Sequence, residues 1–108
     1  MVRILVVDDN RDFAENVAEL LDLEGYEAVV ANSGAVALDI LKSNDLQGVI
    51  CDYHMPGING IDVLNEIRAD AQMSALLFVM VSAGGNFTIH EDHITRFLTK
   101  PMPLEELL

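Results

Sequence analysis

The sequence predicts one doubly wound α/β domain with a five-stranded parallel sheet, and three observations carry that expectation. Short, almost uninterrupted apolar runs alternate with segments of helical period along the whole chain. The runs lack the polar–apolar alternation of a half-solvated strand, so both of their faces must be covered, as in a parallel sheet flanked by helices. At 108 residues and 51% apolar composition the chain holds a single core, and its composition excludes intrinsic disorder.

The elements follow in order. Arg3-Ile4-Leu5-Val6-Val7, β-branched and apolar at its centre, reads as the first strand. From about Asp12 to Glu24, Phe13, Val17, Leu20, Leu21 and Leu23 recur at helical spacing, the acidic residues form a solvated face, and Gly25 is placed to end the helix. Ala28 to Ala31 is the second strand. Ser33 caps a helix over Ala35 to Lys42, in which Val36, Leu38, Ile40 and Leu41 leave little of the girth polar. Gly48 to Asp52 is the third strand. Met55-Pro56-Gly57 then breaks the backbone, and Asn59 caps a helix carrying Ile61, Val63, Leu64 and Ile67. Leu76 to Ser82 is the fourth strand, with Met73 and Met80 suited to core gaps, and a fifth lies within His93 to Thr99. Pro103 opens a last helix with Glu105 and Glu106 in its first turn. Right-handed crossovers joining such strands place ligands beyond their carboxyl ends, where the strand order reverses.

Six Lys and Arg against 18 Asp and Glu give a formal net charge of −12. Phosphate backbones and anionic membranes meet repulsion from such a surface, so no direct nucleic-acid or membrane partner is expected, and cations or basic partners fit better. No apolar stretch approaches bilayer length, and Ile4 to Val7 is far too short for a signal-peptide core, which makes the cytoplasm the expected location. Cys51 is the only cysteine and reads as a small buried hydrophobe. His90 and His93 have no third ligand in view and are not expected to bind metal.

The strand ends hold the chemistry: Asp8-Asp9 after the first, Asp52 after the third, Ser82 after the fourth and Thr99-Lys100-Pro101 after the fifth. Taken singly, Asp8 or Asp9 reads as a helix cap, Asp52 as a loop carboxylate, Ser82 as a hydroxyl bonded to nearby backbone and Lys100 as a solvated charge. Gathered at one sheet edge, they read differently. Three carboxylates there repel one another unless a cation compensates, and a donor set of hard oxygens favours Mg²⁺, which commonly shares carboxylates with a phosphate oxygen. Lys100 can then neutralise a phosphoryl oxygen, Ser82 can donate to another, and Asp52 is free to attack phosphorus and form an acyl phosphate.

With these residues in order, the whole chain resembles the response-regulator receiver domain of bacterial two-component signalling. The resemblance rests on Asp8-Asp9, on Asp52 followed by Tyr53-His54-Met55-Pro56-Gly57-Ile58-Asn59-Gly60, on Ser82-Ala83 and on Lys100-Pro101. It implies a flavodoxin-like strand order 2-1-3-4-5, with Asp52 as phosphoacceptor and Asp8, Asp9 and Asp52 around Mg²⁺. It further implies a metal contact from the backbone carbonyl of His54, a phosphate-contacting Lys100 whose bond to Pro101 is cis, and a switch formed by Ser82 and Phe97. Phe97 reads equally as an ordinary core aromatic. The implied partners are a histidine kinase or histidine phosphotransfer protein and, downstream, a C-terminal output domain or a separate protein. The chain would be an acceptor that slowly dephosphorylates itself, not an enzyme acting on other substrates.

Two departures from the family pattern set further expectations. Only seventeen residues separate Ser82 from Lys100, and Gly84-Gly85 followed by Asn86 to His90 disfavours helix, so the fourth helix is expected to be short or irregular. The six residues from Pro103 to Leu108 make a fifth helix of under about 9 Å, so residues 1–108 read as a receiver domain truncated at its C-terminus. The competing readings are a phosphorylation-independent interaction receiver, a flavodoxin-like cofactor-binding domain and an aspartate-nucleophile phosphatase. Asp8-Asp9-Asn10 would repel a cofactor phosphate, and adjacent acids do not match the alternate-residue spacing of such phosphatases.

Overall fold

The computed structural model describes residues 2–43, 46–70, 73 and 76–82, together with the backbone of 96–99. β1 (Arg3–Val7), α1 (Arg11–Leu23), β2 (Glu27–Ala31), α2 (Gly34–Ser43), β3 (Gly48–Asp52), α3 (Gly60–Ala69) and β4 (Leu77–Ser82) alternate along the chain. The strands run parallel in the order β2-β1-β3-β4. Arg96–Thr99 (β5) lies parallel beside β4, with Thr99 opposite Ser82. The expected fourth and fifth helices and the Lys100–Pro101 bond lie outside the described residues.

Strand alternation divides the core into two layers. Leu5, Val7, Val49, Cys51, Phe78 and Met80 point to one face and pack under Ala37 and Leu41 of α2 and Val63, Leu64 and Ile67 of α3. Val6, Ile50 and Val81 point to the other and pack under Ala14, Val17 and Leu21 of α1. Every residue of β3 is buried, as expected of a central strand covered on both faces.

The structure revises one expectation about α1 and removes the competing reading of the acids before it. Leu23 does not join its apolar face and is 78% exposed. At 3.6 residues per turn it lies about 200° around the helix from Leu21, while the buried stripe runs through Ala14, Val17 and Leu21. Neither Asp8 nor Asp9 caps the helix. Asn10 does so, its side chain accepting the Phe13 N–H at 3.1 Å. The acidic face is as expected, with Asp12, Glu15, Glu19 and Asp22 exposed.

The other caps follow the sequence. Ser33 Oγ accepts the Val36 N–H at 3.2 Å at the start of α2. Asn59 caps α3 in a reciprocal box with Asp62: its side chain accepts the Asp62 N–H, and its own N–H donates to the Asp62 carboxylate, both at 3.0 Å.

Candidate functional site

The parallel register gathers the acids. Val7 pairs with Cys51, so Asp8 and Asp52 each stand one step beyond that pair on adjoining strands. The strand-crossing bonds continue past both ends, with the Asp8 N–H donating to the Ala31 carbonyl at 3.1 Å and the Tyr53 N–H to the Val81 carbonyl at 2.7 Å. One carboxylate oxygen from each of Asp8, Asp9 and Asp52 lies within 4.8 Å of the others. Asp8 and Asp52 are only 2% and 5% exposed, whereas Asp9 is open to solvent.

Local bonds hold this arrangement. Asp8 Oδ1 accepts the Asn10 N–H at 2.8 Å, and the Asn32 side-chain amide donates to the Asp8 carbonyl at 3.0 Å. Asn10 therefore serves both the helix and the acid beside it. Beyond Asp52 the chain turns through Tyr53 to Asn59, with Gly57 in the left-handed region at φ 73°. The Gly60 N–H then donates to the Tyr53 carbonyl at 3.0 Å. A Cβ on Gly60 would stand 2.6 Å from the Asp52 carbonyl oxygen, so only glycine lets α3 begin this close to β3.

Ser82 is fully buried at the end of β4, one residue beyond Val81, the register partner of Asp52. His54 is exposed and lies outside the carboxylate group, its ring set edge-on to Tyr53 with centroids 4.6 Å apart. Tyr53, His54, Met55, Pro56 and Asn59 line a shallow cleft of about 300 Å³. Phe97 sits opposite Met80 in the backbone register of β5; its side chain and the whole of Lys100 lie outside the described residues.

Cys51 is buried beside the acids, and its thiol donates to the Asp52 carbonyl at 3.4 Å. Burial first, and then the Asp52 and Asp8 charges, push its pKa well above the ordinary thiol value, so it remains a protonated core residue.

Two like charges buried this close, with a third at the rim, are costly to hold without a compensating cation, and all three donors are hard oxygens. The donor set fits Mg²⁺. The model of the response regulator receiver domain matches residues 4–108. The chain belongs to that family.

Among curated relatives of this receiver, the response regulator MprA of Mycobacterium sp. (strain KMS) is 33% identical over 99% of the chain and 47% of its own length. The chemotaxis protein CheY-3 of Vibrio cholerae serotype O1 is 40% identical over 76% of the chain and 64% of its own length. The chain thus spans about half the length of the MprA relatives it matches. Among solved structures, the response regulator TrrA of Thermotoga maritima, in complex with Mg²⁺-BeF, superposes with a TM-score of 0.88 at 33% identity, covering 99% of this chain and 93% of that one. The chemotaxis protein CheY4 of Vibrio cholerae gives a TM-score of 0.87 at 26% identity, covering 99% and 92%. The doubly wound, flavodoxin-like fold of the receiver is therefore shared with these chains.

Reading single residues did not reveal the double duty of Asn10 or the Asn32 bond to Asp8. The Asn59–Asp62 box did carry a signal, since a cap residue followed three positions later by an acid is a helix-start signature.

Proposed function

We propose that this receiver is a phosphorylation-controlled signalling module in which Asp52 accepts a phosphoryl group from a phosphohistidine on a histidine kinase or phosphotransfer protein. The convergence of the Asp8, Asp9 and Asp52 carboxylates within 4.8 Å carries the reading. These three side chains and the His54 backbone carbonyl would hold Mg²⁺, which when bound supplies positive charge against the phosphoryl oxygens.

An oxygen of Asp52 attacks phosphorus and the P–N bond to the donor imidazole breaks; that nitrogen keeps the bonding pair and takes a proton from solvent. The product is an acyl phosphate on Asp52. Water later attacks phosphorus, releasing phosphate and restoring the carboxylate. Asp8, fixed by its bond from the Asn10 N–H, needs no reorganisation as this happens. Ser82 donates its hydroxyl to one phosphoryl oxygen and Lys100 offers a cation to another. The phosphoryl group on Asp52, carrying about −1.5 to −2 where the carboxylate carried −1 and offering three strong acceptor oxygens, draws Ser82 inward, and Phe97 fills the space it leaves.

On this reading the protein catalyses only its own phosphorylation and dephosphorylation and works in the cytoplasm. An output module, on the same chain or separate, reads its state. The reading carries with it the complete strand order 2-1-3-4-5, supported by the pairing of Arg96–Thr99 with β4. Incubation with Mg²⁺ and acetyl phosphate is expected to add one acid-stable, base-labile phosphoryl group to the wild-type chain and none to Asp52→Asn. Equal labelling of that variant would refute the assignment.

A further inference from the structure

Gly34 opens α2, a helix that contributes nothing to the carboxylate cluster. Glycine costs a helix interior about 0.5–1 kcal/mol relative to alanine and less at the first residue, and here its presence has a specific reason. Backbone conformation is not that reason, because the positive-φ glycines among the described residues are Gly25 and Gly57. Space is. A Cβ on Gly34 would stand 2.6 Å from the Ile58 carbonyl oxygen, 2.6 Å from Ile58 Cγ2 and 2.8 Å from Ile58 Cβ. A backbone oxygen and a Cβ cannot swing aside as the end of a long side chain can, so the loop itself would have to move.

That loop is the one leading out of Asp52, and it has little freedom to absorb a push. Its first residue is bonded to β4 through the Tyr53 N–H and to Gly60 through the Tyr53 carbonyl. Asn59, next to Ile58, is locked in the capping box with Asp62. Gly60 already approaches the Asp52 carbonyl so closely that no methyl fits between them. Ile58 also packs on the core cluster beneath α2 and α3. A shift at Ile58 is therefore passed along the loop toward Asp52 and its neighbours.

From this we infer that Gly34 is a positioning residue for the chemistry at Asp52: its missing side chain lets Ile58 seat the Tyr53–Asn59 loop at the height the acidic site requires. The inference rests on the phosphoacceptor reading and adds to it a residue outside the carboxylate cluster that acts through its close contact with Ile58.

The test compares Gly34→Ala with Gly48→Ala, where an added Cβ meets nothing closer than the Leu77 carbonyl oxygen at 3.7 Å. Mg²⁺ titrations followed by the Tyr53 and Gly60 amide resonances give the Kd, acetyl phosphate labelling at saturating Mg²⁺ gives the rate, and thermal unfolding reports integrity. Gly34→Ala is expected to remain folded with Mg²⁺ affinity weakened by about tenfold, the usual effect of disturbing groups that support metal ligands, and with slower labelling. Gly48→Ala should match the wild type in both. A folded Gly34→Ala whose Kd and labelling rate equal the wild-type values, whatever its Tm, would overturn the inference while leaving the phosphoacceptor reading intact. If Gly34→Ala does not fold, Ile58→Ala, which removes the Cγ2 that seats the loop against Gly34 and keeps the backbone and Cβ, decides in the same way: weakened affinity supports the inference and unchanged affinity overturns it. A wild-type chain that neither binds Mg²⁺ nor labels would sink both.

Discussion

Cys51 shows how a residue beside a reactive group can itself be inert. Its thiol is buried in the core layer under α2 and α3, and desolvation together with the neighbouring Asp52 and Asp8 charges holds it protonated. A thiol reagent is expected to modify it only when the whole domain opens, so labelling should proceed at the global unfolding rate; rapid labelling of the native protein would contradict its placement. The pH dependence has a definite sign. The unfolded chain loses this proton near the ordinary thiol value of 9.0 and the folded chain keeps it. Stability therefore falls as pH rises above about 9, by about 1.4 kcal/mol per pH unit from this group. Urea unfolding of the wild type and Cys51→Ala should show that slope in their difference.

Individual elements reveal where a linear reading succeeds. β3 was legible to the residue because a run buried on both faces has no polar position at which its edges blur, and Gly48 and Asp52 bound it. Leu23 was not legible, since counting apolar recurrences finds a stripe but not which recurrence falls off it. Asn10 was missed because its acidic neighbours are equally good cap residues, and only the register of β1, which commits Asp8 to the carboxylate cluster, decides among them. Removing the cap with Asn10→Ala is expected to cost about 1 kcal/mol in urea unfolding. Because the Asn10 N–H also bonds Asp8, Asn10→Ala should leave that backbone contact in place and Mg²⁺ binding nearly unchanged. Phe78→Ala, in the larger core layer, should cost about 3–5 kcal/mol. A smaller loss would mean that α2 and α3 close over the gap.

Over the molecule as a whole, the parallel topology converts four separate strand ends into one edge, which is why the site could be anticipated from residues more than forty positions apart. The parallel sheet and the gathering of its strand ends follow from the β–α alternation, while the strand order was implied by the resemblance to the receiver family. What could not be anticipated are the contacts made across elements, such as Gly34 with Ile58, because nothing in either segment announces the other. The same edge couples folding to its ligand. The three carboxylates oppose the compact state on their own and favour it with a cation among them, so Mg²⁺ at about a hundredfold its Kd should add about 2.7 kcal/mol to unfolding stability. Asp9→Asn should abolish most of that gain in a thermal shift measured with and without Mg²⁺, and an undiminished shift would place the cation elsewhere.

The contrast between a recessed Asp52 and an open Asp9 sets the shape of whatever can react here. On the phosphoacceptor reading, a phosphoryl group lying flush with a flat protein surface cannot reach Asp52, whereas one carried at the tip of a protruding imidazole, or on a small free anion, can enter end-on. Selectivity among donors thus begins with slenderness, before any complementary contact is made.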